Sequence, residues 1–284
     1  MADKRIPESE GSRLESNVPE ESEVLEIVEE TAIIEKPVPE VLSGWHPRTE
    51  VGRKVKERKI TDIDQIIDEG KPIKEAEIVD ALLPNLEADL LLIGQGKGKF
   101  GGGQRRAFSQ TQKKTKEGNK LHFKTCSVVG NRDGYVGVDF GKSKETVPAK
   151  EKSLRNAKLA LIRIRRGCGS WQCNCRQPHS LPFEVSGKHG SCEITLLPAP
   201  KGKGLVIEKE CRKVLGLAGV KDIWSKSKGK TVTKENMILA LMDALSNINK
   251  MKIRPQDIPA VGMITGRNKH AESLDVAPIG QGEE

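Results

Sequence analysis

Apolar and polar positions fall into short, well-separated blocks along this chain. Thr61 precedes Ile63, Ile66 and Ile67, the spacing of one helical face, so a short helix capped by Thr61 is predicted. Residues 75–83 form another short amphipathic stretch, stopped by Pro84. An apolar, β-branched run over residues 121–129 reads as a strand. It leads into Asn131-Arg-Asp-Gly134, a hairpin turn in which Asp133-Gly134 supplies positive φ at little cost. Val136, Val138 and Phe140 then alternate with Tyr135, Gly137 and Asp139, the period of a half-buried strand. A helix follows over about 150–160, with Leu154, Ala157 and Leu161 on one face. The period returns to two at Ile162-Arg-Ile-Arg165, a strand with one apolar and one cationic face. Strands are predicted at 182–185 and 192–197, joined by a turn at Ser186-Gly-Lys-His-Gly190. Ile207, Cys211, Val214 and Leu215 mark a helix face that ends at Gly216 or Gly219. After a short strand at 222–224, Thr233 caps a last helix striped by Met237, Ile238, Leu241, Met242, Leu245 and Ile248. Beyond Pro255 the chain reads as irregular. The pattern is that of two small α/β units, roughly 94–166 and 180–250.

Charge divides the chain further. Residues 1–47 hold twelve acidic and four basic groups, a net of −8, which leaves 44 basic against 28 acidic groups and +16 for the remainder. Residues 1–44, rich in Glu, Ser and Pro and without Phe, Trp or Tyr, read as a disordered acidic tail. The +16 body fits a polyanionic partner, set against a surface charged merely for solubility. Aromatic residues are only 3% of the chain. That scarcity favours RNA read through phosphates, 2′-hydroxyls and shape over a surface that stacks bases. The longest apolar run, Met237 to Met242, spans only six residues, so no membrane helix is expected, and the acidic start does not resemble a signal peptide. The chain is therefore expected to be a soluble, intracellular protein.

Glycine dominates residues 94–103, six of ten, and residues 94–124 carry nine Lys/Arg against one Glu. Gly96-Lys-Gly-Lys-Phe-Gly101 matches the spacing of a dinucleotide-binding loop. Such a loop must turn directly into a helix, and here more glycines and a basic polar stretch follow. A nucleotide-using enzyme is therefore the weaker alternative. A flexible linker, or a cationic loop whose Lys97, Lys99, Arg105 and Arg106 follow a phosphate backbone, fits the composition. A second basic zone includes Lys142, Lys144, Arg163, Arg165 and Arg166. No catalytic constellation is recognisable, and the five histidines are scattered.

Cys168, Cys173, Cys175 and His179 follow a C-x4-C-x-C-x3-H spacing. Three thiolates and an imidazole would close a structural tetrahedral zinc site; reduced thiols in a tight loop are the alternative. Cys126, Cys192 and Cys211 fall in strand or helix patterns and read as core thiols.

Several separated motifs resemble one family. Val128-Val-Gly-Asn-Arg-Asp-Gly-Tyr-Val-Gly-Val138 with Gly141-Lys-Ser-Lys-Glu145 is similar to the strand–turn–strand–helix signature of the fifth small-subunit ribosomal protein. So are Asn156-Ala-Lys-Leu159, Arg163-Ile-Arg-Arg-Gly167, Pro178-His-Ser180, Leu197-Pro-Ala-Pro-Lys-Gly-Lys-Gly-Leu205 and Val214-Leu-Gly-Leu-Ala-Gly-Val220 with Lys-Asp-Ile-Trp224. The Cys168-Gly-Ser-Trp-Gln-Cys-Asn-Cys175 loop resembles the archaeal branch. The resemblance covers about residues 45–250. It implies an α+β fold of two small sandwich domains, a double-stranded-RNA-binding-like domain followed by a β-α-β-α domain. Laid on the chain, it suggests a tail (1–44), a helical extension (45–93), the first domain (94–166), the Cys/His loop (167–180), the second domain (181–250) and an irregular end (251–284). It also implies a non-catalytic role: binding small-subunit ribosomal RNA near the decoding region and messenger entrance, contact with the fourth small-subunit protein, and support of translational accuracy. Phosphate contacts are then expected from Lys97, Lys99, Arg105, Arg106, Lys113, Lys114, Lys142, Lys144, Arg163, Arg165, Arg166, Lys201 and Lys203. A free-standing regulator that binds duplex RNA is a further alternative.

Overall fold

The computed structural model describes residues 44–96, 104–173 and 175–267, all within the unit Pro37–Glu284. The acidic tail lies outside them apart from Gly44, as do Lys97 and Lys99 and most of the glycine loop.

Three short helices open the described chain: α1 (Glu50–Lys56), α2 (Ile63–Asp68) and α3 (Ala76–Leu82). Each is too short to persist alone, and all are held by apolar packing. Trp45, Val55, Ile60, Ile66 and Ile78 form one buried cluster. Ile63, Val79 and Leu83 pack with Tyr135 and Leu161 of the following domain in another. The cap of α2 is Asp62 rather than Thr61, and its side chain makes no capping bond. Glu75, at the cap of α3, is turned to a different task. Its carboxylate accepts from the Trp45 indole (3.0 Å) and from the backbone N–H groups of Arg48 (2.9 Å) and Thr49 (2.6 Å). Burial pushes this carboxyl up, but those donors outweigh it and hold it below its ordinary value. The stability it contributes is therefore complete above the unfolded-state pKa and is lost as pH falls through the lower folded one. Glu75→Ala is expected to cost about 2 kcal/mol, seen as faster hydrogen exchange across residues 45–82. Unchanged protection there would remove Glu75 from this role.

The first sheet has five strands: β1 (Glu87–Leu90), β2 (Phe108–Thr115), β3 (Gly118–Gly130), β4 (Tyr135–Ser143) and β5 (Leu161–Arg163). Strand β3 is long enough to take β2 along its first half and β1 along its second, with β4 on its other edge. Helix α4 (Thr146–Leu159) covers β3 and β4 through the small residues Ala149, Ser153 and Ala157. At this seam the Thr125 hydroxyl donates to the Ala149 carbonyl (2.8 Å), and Ser127 meets Ser153 (2.5 Å), so the buried hydroxyls are partnered.

The second sheet runs β7 (Val185–His189), β8 (Cys192–Pro198), β10 (Ile223–Gly229), β9 (Leu205–Val206), with β9 parallel to β10. Helix α6 (Lys234–Lys250) packs on β7 and β8, and α5 (Lys209–Leu217) packs against β3, β4 and β9. The two sheets share one core. Leu91, Cys126, Val128 and Val136 belong to the same buried cluster as Ile194, Val214, Leu215, Ile238 and Leu241. Cys126, Cys192 and Cys211 are fully buried in it, and burial raises the thiols of Cys126 and Cys211 far above the ordinary cysteine value.

Four local expectations are corrected. The basic stretch after the glycines is not loop but strand β2, in an antiparallel ribbon with β3. The strand expected at 182–185 is β7, which starts at Val185, so Ser186-Gly-Lys-His189 lies within the ladder and the turn tightens to Gly190 and Ser191. Strand β10 runs past Trp224 to Gly229. Beyond Pro255 the chain is ordered as α7 (Asp257–Val261) and β11 (Ile264–Thr265), the latter pairing with β6 (Arg165–Arg166).

Candidate nucleic-acid interface and metal centre

The Cys/His loop is closed at its base by paired backbone bonds between Gly167 and Ser180, with N···O distances of 2.9 and 3.0 Å. Gly169 must lack a side chain, because a Cβ there would lie 2.0 Å from the Pro182 carbonyl oxygen. From the other side, α7 seats itself through Cys168 N–H to the Val261 carbonyl (2.9 Å). Within this frame, one ligand atom each from Cys168, Cys173, Cys175 and His179 lies within 4.8 Å of the others. Zn–S bonds of about 2.3 Å set ligand–ligand edges of about 3.8 Å in a tetrahedron. Cys173 Sγ and His179 Nε2 stand 3.8 Å apart. Burial pushes the Cys168 thiol up to about 11. The Lys201 backbone N–H, then the neighbouring Cys175, bring Cys173 down to about 6. The four residues are thus together and could hold a metal.

His179 is aimed by a residue that the sequence pattern does not reveal. Its Nδ1 lies 2.9 Å from Asp222 Oδ2, both side chains being 5% exposed. Asp222 is 43 residues away, so no local spacing signals it. Glu210 escapes notice for the same reason: its buried carboxylate accepts the Leu92 N–H across 118 residues and ties the approach to the glycine loop onto α5.

The expected phosphate-contacting residues fall into three groups. Lys113 and Lys114 are exposed on β2; Lys142 and Lys144 are exposed at the end of β4. With His122, Ser143 and Lys152, the latter pair lines an open pocket of about 630 Å³ at the start of α4. Arg106 is exposed, and so are Lys201 and Lys203; the Lys201 ammonium donates to Gln177 Oε1 (3.0 Å). A second group is engaged by protein acceptors. Arg163 binds Asp68 (2.7 Å) and Asp64 (3.3 Å), and Arg165 donates to the carbonyls of Ile248 (3.2 Å) and Met251 (2.8 Å). Arg166, 5% exposed, meets Asp133 (2.5 Å) and the Gly266 carbonyl (3.1 Å). Arg163 ties β5 to α2, Arg165 ties β6 to the end of α6, and Arg166 ties β6 to the β3–β4 turn and to Gly266 beside β11, so all three arginines have protein partners. Arg105 stands between, donating to the Val232 carbonyl at 3.3 Å. Lys97 and Lys99 lie outside the described residues.

A nucleotide loop would need to open a helix. Gly96 instead pairs antiparallel with Arg105, and the next element among the described residues is strand β2.

A helix laid on an antiparallel sheet, joined through one core to a second α/β layer and bearing exposed lysines, defines an α+β protein with a double-stranded-RNA-binding-like first half, as expected. Comparison with known proteins agrees. Residues 107–165 match the family described as ribosomal protein S5, N-terminal domain, and residues 187–257 match ribosomal protein S5, C-terminal domain. The chain is 46% identical over 225 residues to small ribosomal subunit protein uS5 of Nanoarchaeum equitans, covering 79% of this chain and 96% of that one. The corresponding protein of Methanocaldococcus jannaschii is 45% identical over 226 residues, 80% of this chain and 97% of the relative. That of Pyrobaculum aerophilum is 49% identical over 212 residues, 75% and 90%. The chain belongs to the ribosomal protein S5 family.

Proposed function

We propose that this protein is a structural, non-catalytic constituent of the small ribosomal subunit that binds ribosomal RNA in the cytoplasm. The observation that carries this reading is identity of 45–49% with small-subunit proteins over at least three quarters of the chain. The exposed lysines support it, since they give the +16 body a surface for phosphates. In the finer reading the protein sits near the decoding region and the messenger entrance, touches the fourth small-subunit protein and supports accuracy. The motifs at 128–145 and 197–205 are its support. Tagged protein is expected to cosediment with small subunits in high salt. Tight duplex-RNA binding without subunit association would favour a free-standing regulator instead.

The Cys/His cluster in this reading holds one structural zinc on Cys168, Cys173, Cys175 and His179, supplying cohesion to a loop with almost no core of its own. Purified protein is expected to carry one zinc per chain, and chelation to open residues 167–181 to hydrogen exchange. Far less than one zinc in freshly purified protein, with all four groups free to react, would overturn the assignment.

A further inference from the structure

We infer that Asp222 is the residue through which the metal cluster sets the shape of the basic loop Lys201-Gly-Lys-Gly204, so that metal occupancy controls a phosphate-binding element. The inference rests on the zinc reading above. Asp222 is 3% exposed, and its only ion-pair partner among the described residues is His179. Its two carboxylate oxygens serve different segments: Oδ2 faces His179 Nδ1 at 2.9 Å, and Oδ1 accepts the Gly204 N–H at 2.8 Å. The backbone N–H groups of Lys221 and Asp222 both donate to the His179 carbonyl, at 2.9 and 3.0 Å. Imidazole and carboxylate are thus clamped as one unit. A buried carboxylate needs donors, and the two it has belong to separate segments of the chain.

The chemistry then fixes the tautomer. With a metal on Nε2, the Nδ1 proton must point at Asp222. A carboxylate there both orients the ring and strengthens the nitrogen as a ligand. The loop itself has little to hold it. Gly202 (φ +89°) and Gly204 (φ +71°) take left-handed backbone, and the side chains of Lys201 and Lys203 are exposed. Its two ends are nonetheless tied to the cluster. At one end the Lys201 ammonium donates to Gln177 Oε1 (3.0 Å), two residues before His179; at the other, the Gly204 N–H is held by Asp222. The Cys/His loop and the orienting carboxylate therefore grip the same four-residue loop. The metal fixes where two cations meet RNA, although neither cation touches it.

The test uses the full chain with zinc loaded or removed. Zinc affinity is measured by chelator competition, hydrogen exchange is followed over residues 199–205, and binding to small-subunit ribosomal RNA is titrated. Asp222→Asn keeps the shape and an acceptor for Gly204, but it sets an amide N–H₂ against Nδ1. It is expected to weaken zinc about 10–100-fold. In the unsubstituted chain, zinc removal is expected to speed exchange at 199–205 and weaken RNA binding, and re-addition to restore both. Zinc binding with unchanged affinity in Asp222→Asn would overturn the role of Asp222 and leave the zinc reading intact. Loop exchange indifferent to zinc in the unsubstituted chain would overturn the coupling, whether or not the variant folds. Absence of zinc binding in the unsubstituted chain would defeat both readings.

Discussion

Replacing Lys142, Lys144 and Lys152 together by glutamate is expected to weaken binding to small-subunit ribosomal RNA roughly 100-fold near 0.1 M salt. The log–log salt slope should fall by about three. The three lysines are exposed and line one open pocket against a single carboxylate, Glu145, so net positive charge is available there to a polyanion. A phosphate seated there would release counterions, and each lost contact removes about one unit of slope. Thermal stability should barely move, because none of the three side chains is buried. Arg163→Glu is the matched contrast. It would set a third carboxylate beside Asp64 and Asp68, at a side chain only 21% exposed, and break the tie from β5 to α2. That substitution is expected to cost about 2–3 kcal/mol of stability and to leave the salt slope of the folded fraction unchanged. A lowered slope for Arg163→Glu with full stability, or an unchanged slope for the triple lysine variant, would reverse the two assignments.

This contrast shows where the sequence is legible and where it is not. Periodicity locates α6 because Met237, Ile238, Leu241, Leu245 and Ile248 are all buried on one face. It locates the β3–β4 hairpin because the turn residues and the alternation agree. Strand β2 is invisible to the same test. Residues 110–114 are exposed and polar, and the strand exists through its ladder with β3 rather than through burial. The start of β7 is misread because Ser186-Gly-Lys looks like a turn, whereas Gly187 lies in the ladder beneath α6. The metal cluster is legible because its four residues lie within twelve positions. Asp222, Asp64 and Asp68 are not, since they meet His179 and Arg163 only after folding. A cationic strand face looks the same in a sequence whether its partner is RNA or a distant aspartate.

Gly187→Ala is expected to destabilise the protein by about 3 kcal/mol or more, the upper end for forced overpacking. In a β-strand, alanine would ordinarily be the better residue. Here a Cβ would lie 2.2 Å from the Ala240 carbonyl oxygen and 2.3 Å from the Ala244 nitrogen, backbone atoms of α6 that no rotamer change can move. The first sheet uses the same device. Cβ atoms at Gly137 and Gly141 would meet the carbonyl oxygens of Ala157 and Ala149 in α4 at 2.1 and 2.2 Å. In each half a helix of small residues lies directly on strand glycines, so helix and sheet approach closely with few aromatic side chains between them. That accounts for a sizeable core in a chain so poor in Phe, Trp and Tyr. Gly216→Ala supplies the opposite sign within the same fold. It lies inside α5, where an added methyl group would have nothing within 4 Å, so alanine should add about 0.5–1 kcal/mol through helix propensity. Denaturant unfolding of the two variants beside the unsubstituted chain gives the comparison. Equal stability for Gly187→Ala would mean that α6 can lift from β7 without cost. The shared core of Ile194, Ile238 and Leu241 argues against such slack, because lifting that helix would also open the packing that joins the two sheets.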